Sequence, residues 1–196
     1  MAFPFSLFQE WQLTPYSLAF YMNVITSGTV LGAKPTDTPD QVTKVLWPDF
    51  AENSLDDCSM WRDYGMAEFS WSRESADHPW TGHHFTLQVH RLAHGGGKVV
   101  HETLRARYGR FGRRLRFEKL QRLLEKRGTY LLEIPEHPVQ SPYYRTYWQP
   151  DSLVSVTVIG AHGKYITPDS LRIGDVYNIS APLTPEEVEW RKSRHR

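Results

Sequence analysis

The stretch Met60–Trp71, MWRDYGMAEFSW, constrains the fold more than any other part of the chain. After Gly65, which suits a turn or a bulge, apolar and polar residues alternate with the period of a strand that has one buried face. We therefore predict a strand over about 67–72, preceded by a turn over 61–64. The residues predicted to face the core are Ala67, Phe69 and Trp71, and those predicted to face outward are Glu68 and Ser70.

A second alternating segment follows at His84–Leu92, HFTLQVHRL. The turn formers Pro79 and Gly82 stand between the two segments, so we predict that they pair as an antiparallel hairpin. Its core-facing residues are predicted to be Phe85, Leu87 and Val89.

Helix signals and further strand patterns surround this hairpin. Thr38, Pro39 and Gln41 form a capping box at the start of a helix, and Thr184 begins a similar signature near the end of the chain. We predict an amphipathic helix over 111–127 and further strands over 130–134, 143–148, 153–159 and 175–180. The fold class is therefore α+β, with an antiparallel sheet of about five to six strands and two to three packed helices. In both halves of the chain a helix is followed by strands, so the two halves resemble one structural unit used twice.

The chain is long enough for one domain, and we divide it into three parts. Residues 1–27 are poorly patterned, 28–183 form the single α+β domain, and 184–196 form a C-terminal helix and basic tail. The first part is interpreted either as a short helix from about Tyr16 to Met22 or as sequence upstream of a natural start at Met22. Regular patterning begins only at Val24, which favours the second interpretation.

Charge is distributed unevenly along the chain, although its net value is only +1. Residues 35–79 contain ten acids and three basic residues, whereas 98–127 contain eleven basic residues and three acids. The near-neutral total argues against a general polyanion binder. The two regions either face each other in the fold, which we favour, or steer a charged partner.

Cysteine content and hydropathy indicate the compartment. Cys58 is the sole cysteine, so an internal disulfide is impossible and a reducing cytosol fits. The apolar N-terminus has no basic residue before Lys34, and no apolar run is long enough to span a membrane. We predict a cytoplasmic protein without a membrane contact.

Catalytic and metal-binding motifs give little support for an enzyme. Histidines at 78, 83, 84, 90 and 94 lack the spacing of metal ligands, and the His94-Gly-Gly-Gly97 loop is not accompanied by a nucleophile motif. We predict neither a metal ion nor a cofactor, and no catalytic residue. Two alternatives stay open: an enzyme or small-ligand pocket near Trp71, His84, His90 and Glu68, and nucleic-acid binding through the arginine-rich segment Arg105–Arg127.

Three segments together resemble a known group of proteins. They are V-L-G-x-x-P with P-D-Q-V and V-L-W-P-D-F (30–50), then M-W-R-D-Y-G-M-A-E-F-S-W (60–71), then L-Q-V-H-R-L (87–92). The pattern is similar to that of uncharacterised actinobacterial proteins that are likened to immunity proteins of polymorphic toxin systems. Those proteins commonly have a glycine where this chain has Trp47.

The resemblance implies a non-catalytic domain that holds one protein partner, such as a toxin, and occludes it. Large aromatic anchors beside charges are typical of interfaces. The residues expected to contact the partner are Trp61, Arg62, Asp63, Glu68 and Trp71.

Overall fold

The computed structural model describes residues 16–136, 142–164 and 166–194, and shows an α+β fold built on one antiparallel sheet. The helices are α1 (Tyr16–Ser27), α2 (Pro39–Val45), α3 (Arg91–Gly95), α4 (Glu102–Tyr108), α5 (Phe117–Glu125) and α6 (Pro185–Arg194). The strands are β1 (Ala51–Asp56), β2 (Ser59–Asp63), β3 (Ala67–Ser72), β4 (Thr81–Leu87), β5 (Leu132–Ile134), β6 (Tyr144–Gln149), β7 (Val154–Ile159) and β8 (Val176–Ala181). A short 3-10 helix covers Gly96–Val99.

The strand order is β1-β2-β3-β4-β8-β7-β6-β5, so two four-stranded meanders meet through their last strands. Each meander follows a helix in the chain, α2 before β1–β4 and α5 before β5–β8. The two halves thus share one order of elements, as the resemblance between them suggested.

The predicted hairpin is present in the structure. Phe69 lies opposite Phe85 and Ala67 opposite Leu87, and all four side chains are buried. The second strand covers 81–87 rather than 84–92, because the chain turns at Gln88 and enters α3. Glu68 and Ser70 lie on the other side of β3 from the buried residues, as predicted.

The predicted numbers of strands and helices were too low, since the described part of the chain has eight strands and six α-helices. The two strands without a predicted counterpart are β1 and β2, where we expected a turn over 61–64 and no strand before it. All six residues of β1 are exposed, so no alternation of burial marks it as a strand. The segment 61–64 is therefore largely strand rather than turn.

Helix α1 belongs to the core of the domain. Its buried side chains are Leu18, Phe20, Tyr21, Met22, Val24 and Ile25. Of the two interpretations of this region, the helix is the one seen, and residues 1–15 lie outside the described part. A helix that is apolar on nearly all sides lacks the stripe by which amphipathic helices are recognised, which explains why this one was not favoured. Whether the natural start is Met1 or Met22 stays open.

Most helices pack on one face of the sheet, which we call the helical face. The main core joins α1, α2, α4 and α5 to inward side chains of both meanders. On the opposite face, which we call the open face, α6 covers the far end through Trp148 and Val188. Tyr147 and Trp148 are neighbours on β6 and belong to different hydrophobic clusters, so the aromatic residues of this strand are divided between the two faces.

Helix ends follow the sequence signals closely. The capping box of Thr38 and Gln41 is formed, and the Thr184 hydroxyl accepts a hydrogen bond from the backbone N–H of Glu187 at 3.3 Å. Helix α5 is shorter than predicted, beginning at Phe117 rather than Phe111, and it buries Leu120 and Leu124 as expected.

No helix in the described residues has the length and apolar character needed to cross a bilayer.

Candidate functional site

The five residues expected to contact a partner are divided by the sheet between its two faces. Strand β2 places Trp61 and Asp63 on the open face and Arg62 on the helical face, because neighbouring residues of a strand point in opposite directions. Glu68 lies opposite Asp63 across β2 and β3, on the same open face. Three of the five residues are thus brought together.

Arg91 of α3 joins the two acids of this group. Its guanidinium donates to Asp63 Oδ2 at 2.7 Å, to the Gly65 carbonyl at 2.9 Å, and to Glu68 Oε1. Gln88 Nε2 donates to the other carboxylate oxygen of Glu68 at 2.5 Å. Burial opposes the charge on Arg91, but hydrogen bonds and charges of Asp63 and Glu68 raise its pKa overall. We call Asp63, Glu68, Gln88 and Arg91 the acid–arginine cluster.

The acid–arginine cluster is joined by hydrogen bonds and is partly exposed. The side chains of Arg91, Asp63 and Glu68 keep 30%, 26% and 19% of their accessible surface. Both carboxylates accept hydrogen bonds from one permanent cation, which orients their oxygens. Half-buried Trp61 lies on the same face of β2 as Asp63 and pairs with Ser70 of β3.

Arg62 and Trp71 lie on the helical face, away from the other three residues expected to contact a partner. Arg62 donates to Glu52 at 2.8 Å and to the Thr43 hydroxyl at 3.0 Å, its guanidinium stacks 4.4 Å from the centre of the Phe50 ring, and its side chain is only 14% exposed. Trp71 is 1% exposed, and its indole N–H donates to the Asp37 carbonyl at 2.8 Å. Both side chains therefore make internal contacts on the helical face of the sheet.

The alternative pocket near Trp71, His84, His90 and Glu68 does not assemble. Trp71 and Glu68 lie on opposite faces of β3, so their side chains diverge. His84 hydrogen-bonds Thr86 at 3.0 Å, and burial together with His83 lowers its pKa to about 4. His90 is not on the strand and stacks on Tyr177, with ring centroids 4.3 Å apart. The described residues contain no group of three His, Cys, Asp or Glu side chains that suits a metal ion.

Strand β1 was missed by sequence reasoning, although the acids of 49–57 were noted. It is the edge strand of the acidic half, and Leu55 within it is 80% exposed. Beside it runs a groove of about 380 Å³, lined by Thr38, Pro39, Asp40, Glu52, Met60, Arg62, Pro79 and Trp80. Glu52 in this groove already pairs with Arg62 at 2.8 Å, and the guanidinium of Arg73 lies 4.1 Å from the centre of the Trp80 ring, so both groups already hold a cation of the chain itself.

The acidic and basic regions of the chain do not neutralise each other through ion pairs in the structure. The ion pairs of the acids in 35–79 run to Arg62, His78 and Arg91. In the basic segment, Arg114 and Arg116 pair with buried Asp175, whereas Arg105, Arg107, Arg110 and Arg113 are exposed. We favoured an arrangement in which the acidic region 35–79 and the basic region 98–127 face each other, and these ion pairs do not show it.

Comparisons with known proteins add no further support. No family model, curated protein or solved structure matches the chain. The resemblance to immunity proteins stays a prediction.

Proposed function

We propose that this chain is a non-catalytic binding protein that holds one partner protein against the acidic half of its sheet. In this proposal it acts in the cytoplasm as immunity proteins do, by occluding a toxin. The observation that carries the proposal is the exposed acidic strand β1 beside the acid–arginine cluster and Trp61.

Charge supports a basic partner. Glu52, Asp56 and Asp57 are exposed on or next to β1, and the adjacent groove adds Asp40. A surface with one dominant sign speeds encounter with an oppositely charged protein and disfavours wrong partners.

The hydrogen bonds within the acid–arginine cluster support recognition of a folded surface. Arg91 fixes the carboxylates of Asp63 and Glu68 before any partner arrives, so little side-chain entropy is lost on binding. Trp61 beside them supplies the large amphipathic anchor that interface centres favour. The acid–arginine cluster and Trp61 form the expected centre of the contact.

The experiment compares capture of a partner by the wild-type protein and by two variants in the cells from which the gene comes. Trp61→Ala removes the anchor on the acidic half, and Arg110→Ala is a matched surface control on the basic segment. We expect the wild type and Arg110→Ala to retain one stoichiometric protein that Trp61→Ala loses.

The captured protein is then produced alone and together with the chain. Under the proposal it arrests growth alone, and co-expression of the wild type restores growth while Trp61→Ala does not. A captured protein that is harmless, or that all three forms retain equally, would sink the proposal.

A further inference from the structure

The two edges of the sheet differ in how well they are protected. Strand β5 has only three residues, Leu132–Ile134, and Pro135 follows it at once. Strand β1 has six residues, none of them proline, and its strand neighbour in the described sheet is β2 alone. Edge strands are commonly blunted by shortness, proline, charged side chains or bulges. Strand β1 is not short and has no proline, and its regular part before the bulge at 54–56 has one charged residue, Glu52.

Among the residues that the structure describes, β1 therefore has a strand neighbour on one side and a free side opposite it. In an antiparallel pair, alternate residues direct their N–H and C=O groups toward the neighbouring strand, and the others direct them away. Since β1 pairs with β2 in regular register from Ala51 to Ser54, its outward groups form a ladder that a further strand can complete. The irregularity between Ser54 and Asp56 limits that ladder to the first part of the strand.

A second copy of this chain is a poor occupant of the free side. Antiparallel pairing of two β1 strands brings the acids at positions 52, 56 and 57 of both copies to one shared edge, and like charges held close together are destabilising. Strand β5 of another copy would add Glu133, a further acid. The same geometry favours a strand with lysine or arginine at alternate positions.

We propose that β1 is extended by a strand of a basic partner, which hydrogen-bonds to the free side of its regular part, residues 51–54, and places a basic side chain beside Glu52. The Glu52 carboxylate is 49% exposed although it holds Arg62, so it can accept a second cation. Leu55 offers an apolar contact next to the acids. This inference rests on the proposed function and names how the partner is held.

The test uses three short peptides of equal length and two variants. One peptide alternates lysine with valine, a second replaces lysine with glutamate, and a third replaces valine with proline so that it keeps the charge but cannot form a strand. Asn53→Pro and Ser54→Pro differ in effect because neighbouring N–H groups point to opposite sides, so one proline lies on the free side and the other disrupts pairing with β2. Thermal melting identifies the free-side variant as the one that keeps the wild-type transition.

We expect the lysine–valine peptide to bind at least ~10-fold more tightly than either other peptide, measured by fluorescence anisotropy at low salt. Binding should slow amide hydrogen exchange in residues 51–54, and the free-side proline substitution should abolish peptide binding. Equal binding of the lysine–proline peptide, or unchanged exchange in β1 of the wild type, would overturn the inference even if neither proline variant folds. So would dimerisation of the chain through β1, seen by sedimentation.

The outcome for β1 is separable from that for the proposed function. If the free-side proline variant still captures the cellular partner that Trp61→Ala loses, the partner is bound by the open face without strand pairing. In that case the strand extension is wrong, and the proposed function stands.

Discussion

Arg91 of α3 donates to Asp63 at the end of β2, with their Nη1 and Oδ2 atoms 2.7 Å apart. The same guanidinium donates to Glu68 of β3. One cation thereby ties the segment after β4 to the two strands on which the proposed contact surface lies.

Replacing Arg91 with methionine should destabilise the fold by about 1–3 kcal/mol, since two neighbouring, partly buried acids lose their cation. Urea denaturation measures this loss. The matched control is Arg105→Met, at an exposed position of α4, which should stay within about 0.5 kcal/mol of the wild type. Adding Glu68→Gln to Arg91→Met should restore part of the loss. Fully additive losses would show that the pair is not coupled.

Stability should fall in acid partly because of His84. Burial and His83 lower its pKa to about 4 in the folded state from an ordinary value of 6.5, so protons bind the unfolded chain preferentially. The contribution is intact above about pH 6.5 and is lost as the pH falls toward 4. In His84→Asn, the loss of unfolding free energy between these pH values should be smaller by about 1–3 kcal/mol. His78→Asn, on the exposed turn after β3, is the control, and an equal effect there would refute the assignment.

Helix α1 should be required for folding. Phe20 is 1% exposed and packs against the rings of Tyr21, Tyr108 and Phe111, so Phe20→Ala should cost about 3–5 kcal/mol. Asn23→Ala on the exposed side of the same helix should change stability by less than about 0.5 kcal/mol. A chain that starts at Met22 lacks Phe20 and should show no cooperative thermal transition. A normal transition in that chain would mean that α1 is dispensable.

Gly65, between β2 and β3, should not tolerate a side chain. Its φ is +89°, and a Cβ there would lie 2.6 Å from the Val99 carbonyl oxygen. Gly65→Ala should therefore cost about 1–3 kcal/mol in denaturant unfolding. At Gly97 a Cβ would meet nothing within 4 Å, so Gly97→Ala is the control. Similar losses in both variants would contradict this account of the turn.

The sequence predicted best those elements in which one face is buried and the other exposed. The alternation around Phe69 and Phe85 identified their hairpin, and the spacing of Leu120 and Leu124 identified α5. Strand β1 has no buried face, and α1 is apolar on nearly all sides, so neither has a period to detect.

The candidate site was predicted in part for the same reason. Asp63 and Glu68 were named, but without β2 as a strand the opposite directions of Trp61 and Arg62 were not foreseen. Arg91 was assigned to a strand, whereas it lies on α3 and reaches acids 23 and 28 residues earlier in the chain. Such a contact depends on how β4 ends, which local patterns do not specify.

The most direct test of the central claim is the affinity of the purified partner for the wild type, Trp61→Ala and Arg110→Ala, measured by calorimetry. We predict that Trp61→Ala weakens binding at least ~10-fold, about 1.4 kcal/mol, because the anchor beside the acid–arginine cluster is lost. Arg110→Ala should bind as the wild type does. Unchanged affinity for Trp61→Ala together with weakened binding for Arg110→Ala would place the contact on the basic segment and contradict the account.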